Sequence, residues 1–133
     1  MIEFNDVCKT YENGTEALSH ISFKIEKGEF VFIVGPSGSG KSTLAKLLMY
    51  EEKATSGDIR INDYHVTELG RRDVPYLRRS MGVVFQDFRL LQDRTVYDNI
   101  MFAMQVVGAT KKEIRRRIPT VLSACLLYTS RCV

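Results

Sequence analysis

Cysteine, histidine, long apolar runs and an excess of either charge are all scarce in this 133-residue chain. Cys8, Cys125 and Cys132 form no CxxC pair and no His-assisted zinc pattern, which excludes a disulfide framework and predicts reduced thiols. His20 and His65 are the two histidines. Neither has a catalytic or metal partner nearby in sequence, and both read as surface or turn residues. No apolar stretch approaches the ~18–20 residues that span a bilayer. The start Met1-Ile2-Glu3-Phe4-Asn5-Asp6 lacks the basic and apolar regions of a signal peptide, so a cytosolic location is expected. The formal charge is only +3, and Arg115-Arg116-Arg117 reads as a solvated helix face, so no nucleic-acid partner is expected. What is present, 44% hydrophobic and 26% charged residues, is ordinary for one globular domain.

The most informative run is GPSGSGKST at residues 35–43, directly after the apolar stretch Phe30 to Val34. Gly35, Gly40, Lys41 and Ser42 stand as G-x-x-x-x-G-K-S, the phosphate-binding loop pattern that joins a buried strand to a helix. Glycines allow backbone N–H groups to close around phosphate oxygens. Lys41 supplies a mobile cation for β- and γ-phosphates, Ser42 a hydroxyl for Mg²⁺, and the helix amino end its dipole. The whole loop (Gly35, Pro36, Ser37, Gly38, Ser39, Gly40, Lys41, Ser42, Thr43) is therefore the predicted phosphate cradle of a nucleoside triphosphate.

Along the chain, Ile2 to Tyr11 and Ile21 to Ile25 read as short strands, the second alternating as Ile21, Phe23, Ile25. The uninterrupted run Phe30 to Val34 predicts a strand covered on both faces of a parallel or mixed sheet, and Met81 to Phe85 a second buried strand. Leu44, Leu47 and Leu48 continue a helix to about Met49. Ser56-Gly57 is expected to close a connection, Asp58 to Thr67 to form a hairpin over Asn62-Asp63, and Val74 to Arg79 a short helix. Val96 to Val107 is an amphipathic helix closed by Gly108. Thr110 and Glu113 form a T-x-x-E capping box opening another. Pro119 falls inside that last helix and is expected to bend or stop it.

Tyr11, Gly14, Ala17, Leu18, the glycine loop and the strand ending Phe85-Gln86 together resemble the nucleotide-binding subunit of ABC transporters. The segments YENGTEAL, IEKGEFVFIVGPSGSGKSTL, SGDIRIND and MGVVFQDFRLLQDRTVYDNI are similar to its cell-division branch, and the likeness covers most of residues 1 to about 122. It implies an α/β P-loop fold: an antiparallel β subdomain, part of a parallel core sheet and the start of a helical subdomain. It also implies ATPase activity with ATP and Mg²⁺, in a homodimer of the full-length subunit. The expected partner is an integral membrane protein of the FtsX type, at the cytoplasmic face of the inner membrane. Tyr11 resembles the adenine-stacking aromatic, and Gln86 the glutamine that joins the Mg²⁺ shell and orients the attacking water; Lys41 and Gln86 are the implied catalytic residues. Phe88, Arg89, Leu90 and Leu91 follow Gln86, either facing the membrane partner or packing the helical subdomain.

The family's LSGGQ signature, its acidic strand with the adjoining catalytic glutamate, and its switch histidine do not occur in the chain, so these residues alone are expected to bind nucleotide at best. Two other readings stay open, a P-loop small-molecule kinase and a nucleotide-binding module without turnover. The kinase is disfavoured because about thirty residues of antiparallel character precede the loop. Cys125 to Ser130 resembles the translation of a transposon-end sequencing adapter. Residues 1–124 are accordingly expected to be a partial ATP-binding domain and 125–133 a non-native tail, against the alternative of a genuine apolar helix end.

Overall fold

Phe4, Val7 and Lys9 are the buried positions of the first strand, and their spacing is not that of a regular strand, in which every second residue faces the core. The computed structural model, which describes residues 1–87 and 89–125, shows why. Strand β1 (Ile2–Thr10) pairs antiparallel with β2 (Glu16–Ile25), and the register slips between Phe4 and Val7. Asp6 and His20 sit at φ 50° and 49°, so each strand bulges and changes phase there. Leu18 is buried before the bulge in β2, and Ile21, Phe23 and Ile25 carry the shifted phase after it. The sequence-based start of this strand at Ile21 was therefore late, because the bulge hides its first half from an alternation pattern.

The chain divides into two units, Met1–Ser80 and the residues from Met81 on. In the first, β3 (Ser56–Ile61) and β4 (Tyr64–His65) complete a four-stranded antiparallel sheet in the order β2-β1-β3-β4. The Phe4 and Phe23 rings stack at 4.6 Å, joining β1 to β2 on one face. Helix α1 (Lys41–Leu48) contributes the buried Leu44 and Leu47, and α2 (Val74–Arg79) the buried Val74 and Leu77. Full burial of side chains of this kind is worth roughly 1.5–3 kcal/mol each. Arg78 of α2 donates to Met49 O at 3.0 Å and Tyr50 O at 3.3 Å, satisfying carbonyls at the carboxyl end of α1 that the helix itself leaves free.

Ser56-Gly57 does not close a connection: both residues open β3. Gly57 has φ +87°, and a Cβ there would strike the Asp6 carbonyl, so the bulge in β1 and the glycine in β3 require each other. Phe30 to Val34 also departs from expectation. It forms no strand and is covered only in part, with Phe30, Phe32 and Val34 on one side exposed by 84%, 77% and 86% and Val31 and Ile33 on the other each by 49%. The physical reason is that no strand among the described residues offers it a ladder. Met81 to Phe85 is likewise unpaired, with Val84 fully open at 99% exposure.

The second unit holds α3 (Val96–Val106) and α4 (Lys111–Ala124). Ile114, Ile118 and Leu122 fall on one face of α4 and are buried against Tyr97, Ile100, Met101 and Met104. Arg115, Arg116 and Arg117 face solvent as expected. The capping box forms as predicted, with Thr110 N–H donating to Glu113 Oε2 at 2.8 Å and Glu113 N–H to Thr110 Oγ1 at 3.3 Å. Pro119 does not stop the helix, which runs on to Ala124. A proline costs one i→i−4 bond, and buried Ile118 and Leu122 on either side hold the remaining turns in place. Most of the suspected tail, residues 126–133, lies outside the described residues, as does Phe88.

Candidate functional site

The glycine loop leads into α1 through Gly40, at φ +87° the left-handed residue on which the first turn is hung. A Cβ on Gly40 would stand 2.5 Å from Ala17 O and 2.7 Å from Leu18 Cδ2, so β2 presses against the loop where only glycine fits. At the other end of the loop, a Cβ on Gly35 would come within 2.6 Å of Ser39 Oγ. The loop is thus wound tightly enough that its curvature excludes side chains.

Inside that curve lies the Lys41 ammonium. It donates to Gly35 O at 2.9 Å, Pro36 O at 2.7 Å and Ser39 Oγ at 3.2 Å. All three acceptors are neutral, and no carboxylate pairs with Lys41 among the described residues. A cation held only by neutral carbonyl and hydroxyl dipoles keeps nearly its whole charge available to an anion. No side chain caps the amino end of α1, so the first N–H groups of the helix are also unclaimed. Ser42 is exposed one position into that turn. Together these groups form a cradle for a polyanion.

Thr43 is different. It is buried, and its hydroxyl lies 3.1 Å from the Tyr11 hydroxyl. Tyr11 follows β1 in the same phase as Val7 and Lys9, so the bulge at Asp6 turns it towards α1. Its backbone closes the next turn, receiving Gly14 N–H at 2.9 Å and donating to Thr15 O at 2.9 Å. The ring is half-buried, and Lys9 Nζ stands 4.9 Å from its centroid. Lys9 itself, 8% exposed, bonds Glu52 Oε2 and Lys53 O, each at 2.9 Å. That bond holds the Glu52 carboxyl below its usual range. The structure brings Tyr11, Thr43 and the glycine loop together, and it adds Lys9, which no motif had singled out. The signal was present in the i, i+2 spacing of Val7, Lys9 and Tyr11.

Gln86 belongs to the second unit, on an exposed turn after Phe85. The Arg89 guanidinium covers the Phe85 ring at 3.9 Å. Leu90 and Leu91 are exposed by 63% and 42%, so they are not packed into the described part of the helical unit. Asn99 fastens the segment from α3, accepting from Leu91 N–H at 2.8 Å and donating to Leu91 O at 3.2 Å and Thr95 O at 2.9 Å. Among the described residues there is no His, Cys, Asp and Glu cluster fit to hold a metal alone. The exposed Ser42 hydroxyl is an oxygen donor of the kind a hard cation takes.

The ABC transporter family model matches residues 18–128. The chain is 53% identical to the cell division ATP-binding protein FtsE of Mycobacterium tuberculosis over 123 residues, 92% of this chain and 54% of that protein. It is 48% identical to the FtsE protein of Streptococcus pneumoniae over 122 residues, 92% and 53% of the two chains. Among solved structures, the dimeric post-hydrolysis state of an ATP-binding cassette bound to ADP and Pi superimposes with a TM-score of 0.83 at 32% identity, over 92% of this chain and 56% of the other. The chain therefore spans about half the length of the curated relatives it matches.

Proposed function

Because the chain belongs to the ABC transporter family, we propose that it is part of the ATP-binding subunit of an FtsE-like assembly in cell division, which couples Mg·ATP binding and hydrolysis to a membrane partner. The observation that carries this reading is the Lys41 ammonium, held inside the glycine loop by three neutral oxygens. Lys41 and backbone N–H groups of the loop and of the first turn of α1 bind the β- and γ-phosphates, and Tyr11 orients the base. Ser42 would hold Mg²⁺, which supplies charge neutralisation of the phosphates when bound, and the place of Gln86 in that shell rests on the family resemblance alone. Gln86 positions the attacking water.

The partner is proposed to be an integral membrane protein of the FtsX type, met at the cytoplasmic face of the inner membrane, and the working form a homodimer of the full-length subunit. The dimeric cassette that this chain resembles supports the second point, and the exposed Leu90-Leu91 segment pinned by Asn99 supports the first. Turnover is proposed for the whole subunit rather than for these residues alone, since LSGGQ and the acidic strand with its adjoining glutamate are not among them. The small-molecule kinase reading is not favoured by the identity to FtsE proteins.

Complementation tests the reading. In cells depleted of the endogenous subunit, the full-length protein restores division and its Lys41→Ala variant does not, while both accumulate equally. Restored division by the variant would sink the assignment.

A further inference from the structure

We propose that Lys9 is a positioning residue for the nucleotide base, acting through the Tyr11 ring, an inference that rests on the ATP-binding reading. Lysine is seldom buried, yet Lys9 is 8% exposed. The irregular course of β1 is responsible, since its register against β2 slips at the Asp6 bulge and again on either side of Lys9, leaving Val7 and Lys9 both buried. Three contacts then fix the ammonium: Glu52 Oε2 and Lys53 O at 2.9 Å each, and the Tyr11 ring face at 4.9 Å from its centroid. The ring is tied at its far end by the bond to Thr43 Oγ1.

Two consequences follow for a bound base. With one ring face taken by Lys9, a base stacks only on the other, so its position relative to the phosphates bound by the loop is defined. A cation on the first face also draws π density from the ring, and a depleted ring stacks best on an electron-rich purine. Lys9 therefore favours purine over pyrimidine nucleotides without touching either. Glu52 keeps the ammonium in place, and its negative charge makes the buried cation tolerable.

The test uses the full-length subunit and four probes, ATP, GTP, CTP and inorganic tripolyphosphate, measured by calorimetry. Lys9→Met keeps the stem and removes the charge. It is expected to weaken ATP and GTP about two- to fivefold, the range of an exposed to partly buried cation–π contact, with CTP less affected and tripolyphosphate unchanged. Lys9→Arg restores the purine preference. In a Tyr11→Ala background Lys9→Met has no further effect. Equal weakening of all four probes, or full additivity with Tyr11→Ala, would mean that Lys9 acts only on the fold and overturns the proposal. If Lys9→Met does not fold, Glu52→Gln takes its place, with a smaller loss in the same order expected and an unchanged purine preference counting against the proposal. Failure of the underlying reading looks different: Tyr11→Ala alone would then show no purine-selective loss.

Discussion

The hydroxyls of Tyr11 and Thr43 lie 3.1 Å apart, which ties the residue after β1 to the first turn of the helix that carries Lys41. In the proposed reading, base and phosphate contacts are thus linked through one hydrogen bond. Tyr11→Ala removes the stacking surface and is expected to weaken ATP, GTP and other purine triphosphates several-fold while leaving inorganic triphosphate nearly unaffected. Tyr11→Phe keeps the ring and loses only the bond, and should retain most of the purine affinity. Competition binding in the full-length subunit decides, and equal losses for every probe would remove Tyr11 from base recognition.

Gly57 tests the architecture. Its φ of +87° and the Asp6 carbonyl in the path of any Cβ leave an alanine no place to go without opening β1 from β3. Gly57→Ala is expected to destabilise the protein by at least about 2 kcal/mol, strain of the kind stored at left-handed positions. The denaturant midpoint measures it. An unchanged midpoint would show that the β1–β3 pairing is drawn wrongly.

A third prediction concerns pH. Hydrogen bonds from the Thr110 backbone and hydroxyl hold the Glu113 carboxyl below its ordinary value of 4.5. A group whose folded value is depressed stabilises the fold above its unfolded value and loses that contribution as pH falls through the folded one. The first turn of α4 should therefore loosen in acid below about pH 4.5. Amide exchange of residues 111–114 reads this, and Glu113→Gln should flatten the dependence. Thr110→Ala, which removes the cap, costs about 1 kcal/mol near neutral pH.

How far these features were legible in the sequence depended on whether the signal was local. The capping box at Thr110, the span of Val74 to Arg79 and the hairpin at Asn62-Asp63 rest on contacts within a few residues, and they appear where the residues indicate. The glycine loop was legible because its pattern is local, although the close approach of β2 that requires Gly40 was not. Phe30 to Val34 was not, because an apolar run reports a preference for burial and cannot say whether a neighbouring strand is there. Pro119 misled because the packing of Ile118 and Leu122 outweighs one lost backbone bond. Lys9 was overlooked because a lysine in a strand reads as solvent-facing unless the bulge at Asp6 is known, and that bulge is a property of pairing.

Gln86 should separate binding from turnover. On its exposed turn it is free to meet a ligand without shaping the cradle. Gln86→Ala is expected to leave ATP affinity within a few-fold but to depress hydrolysis, or its response to the membrane partner. Normal steady-state hydrolysis by the variant in the presence of that partner would exclude Gln86 from the mechanism.

The most direct test of the account is the affinity of the full-length subunit for ATP with Mg²⁺, measured by calorimetry before and after Lys41→Ala. No other described residue places a cation inside the glycine loop, so the substitution should abolish measurable binding while thermal unfolding of the free protein stays near that of the parent. Unchanged ATP affinity in a folded Lys41→Ala protein would contradict the phosphate-cradle assignment from which the rest follows.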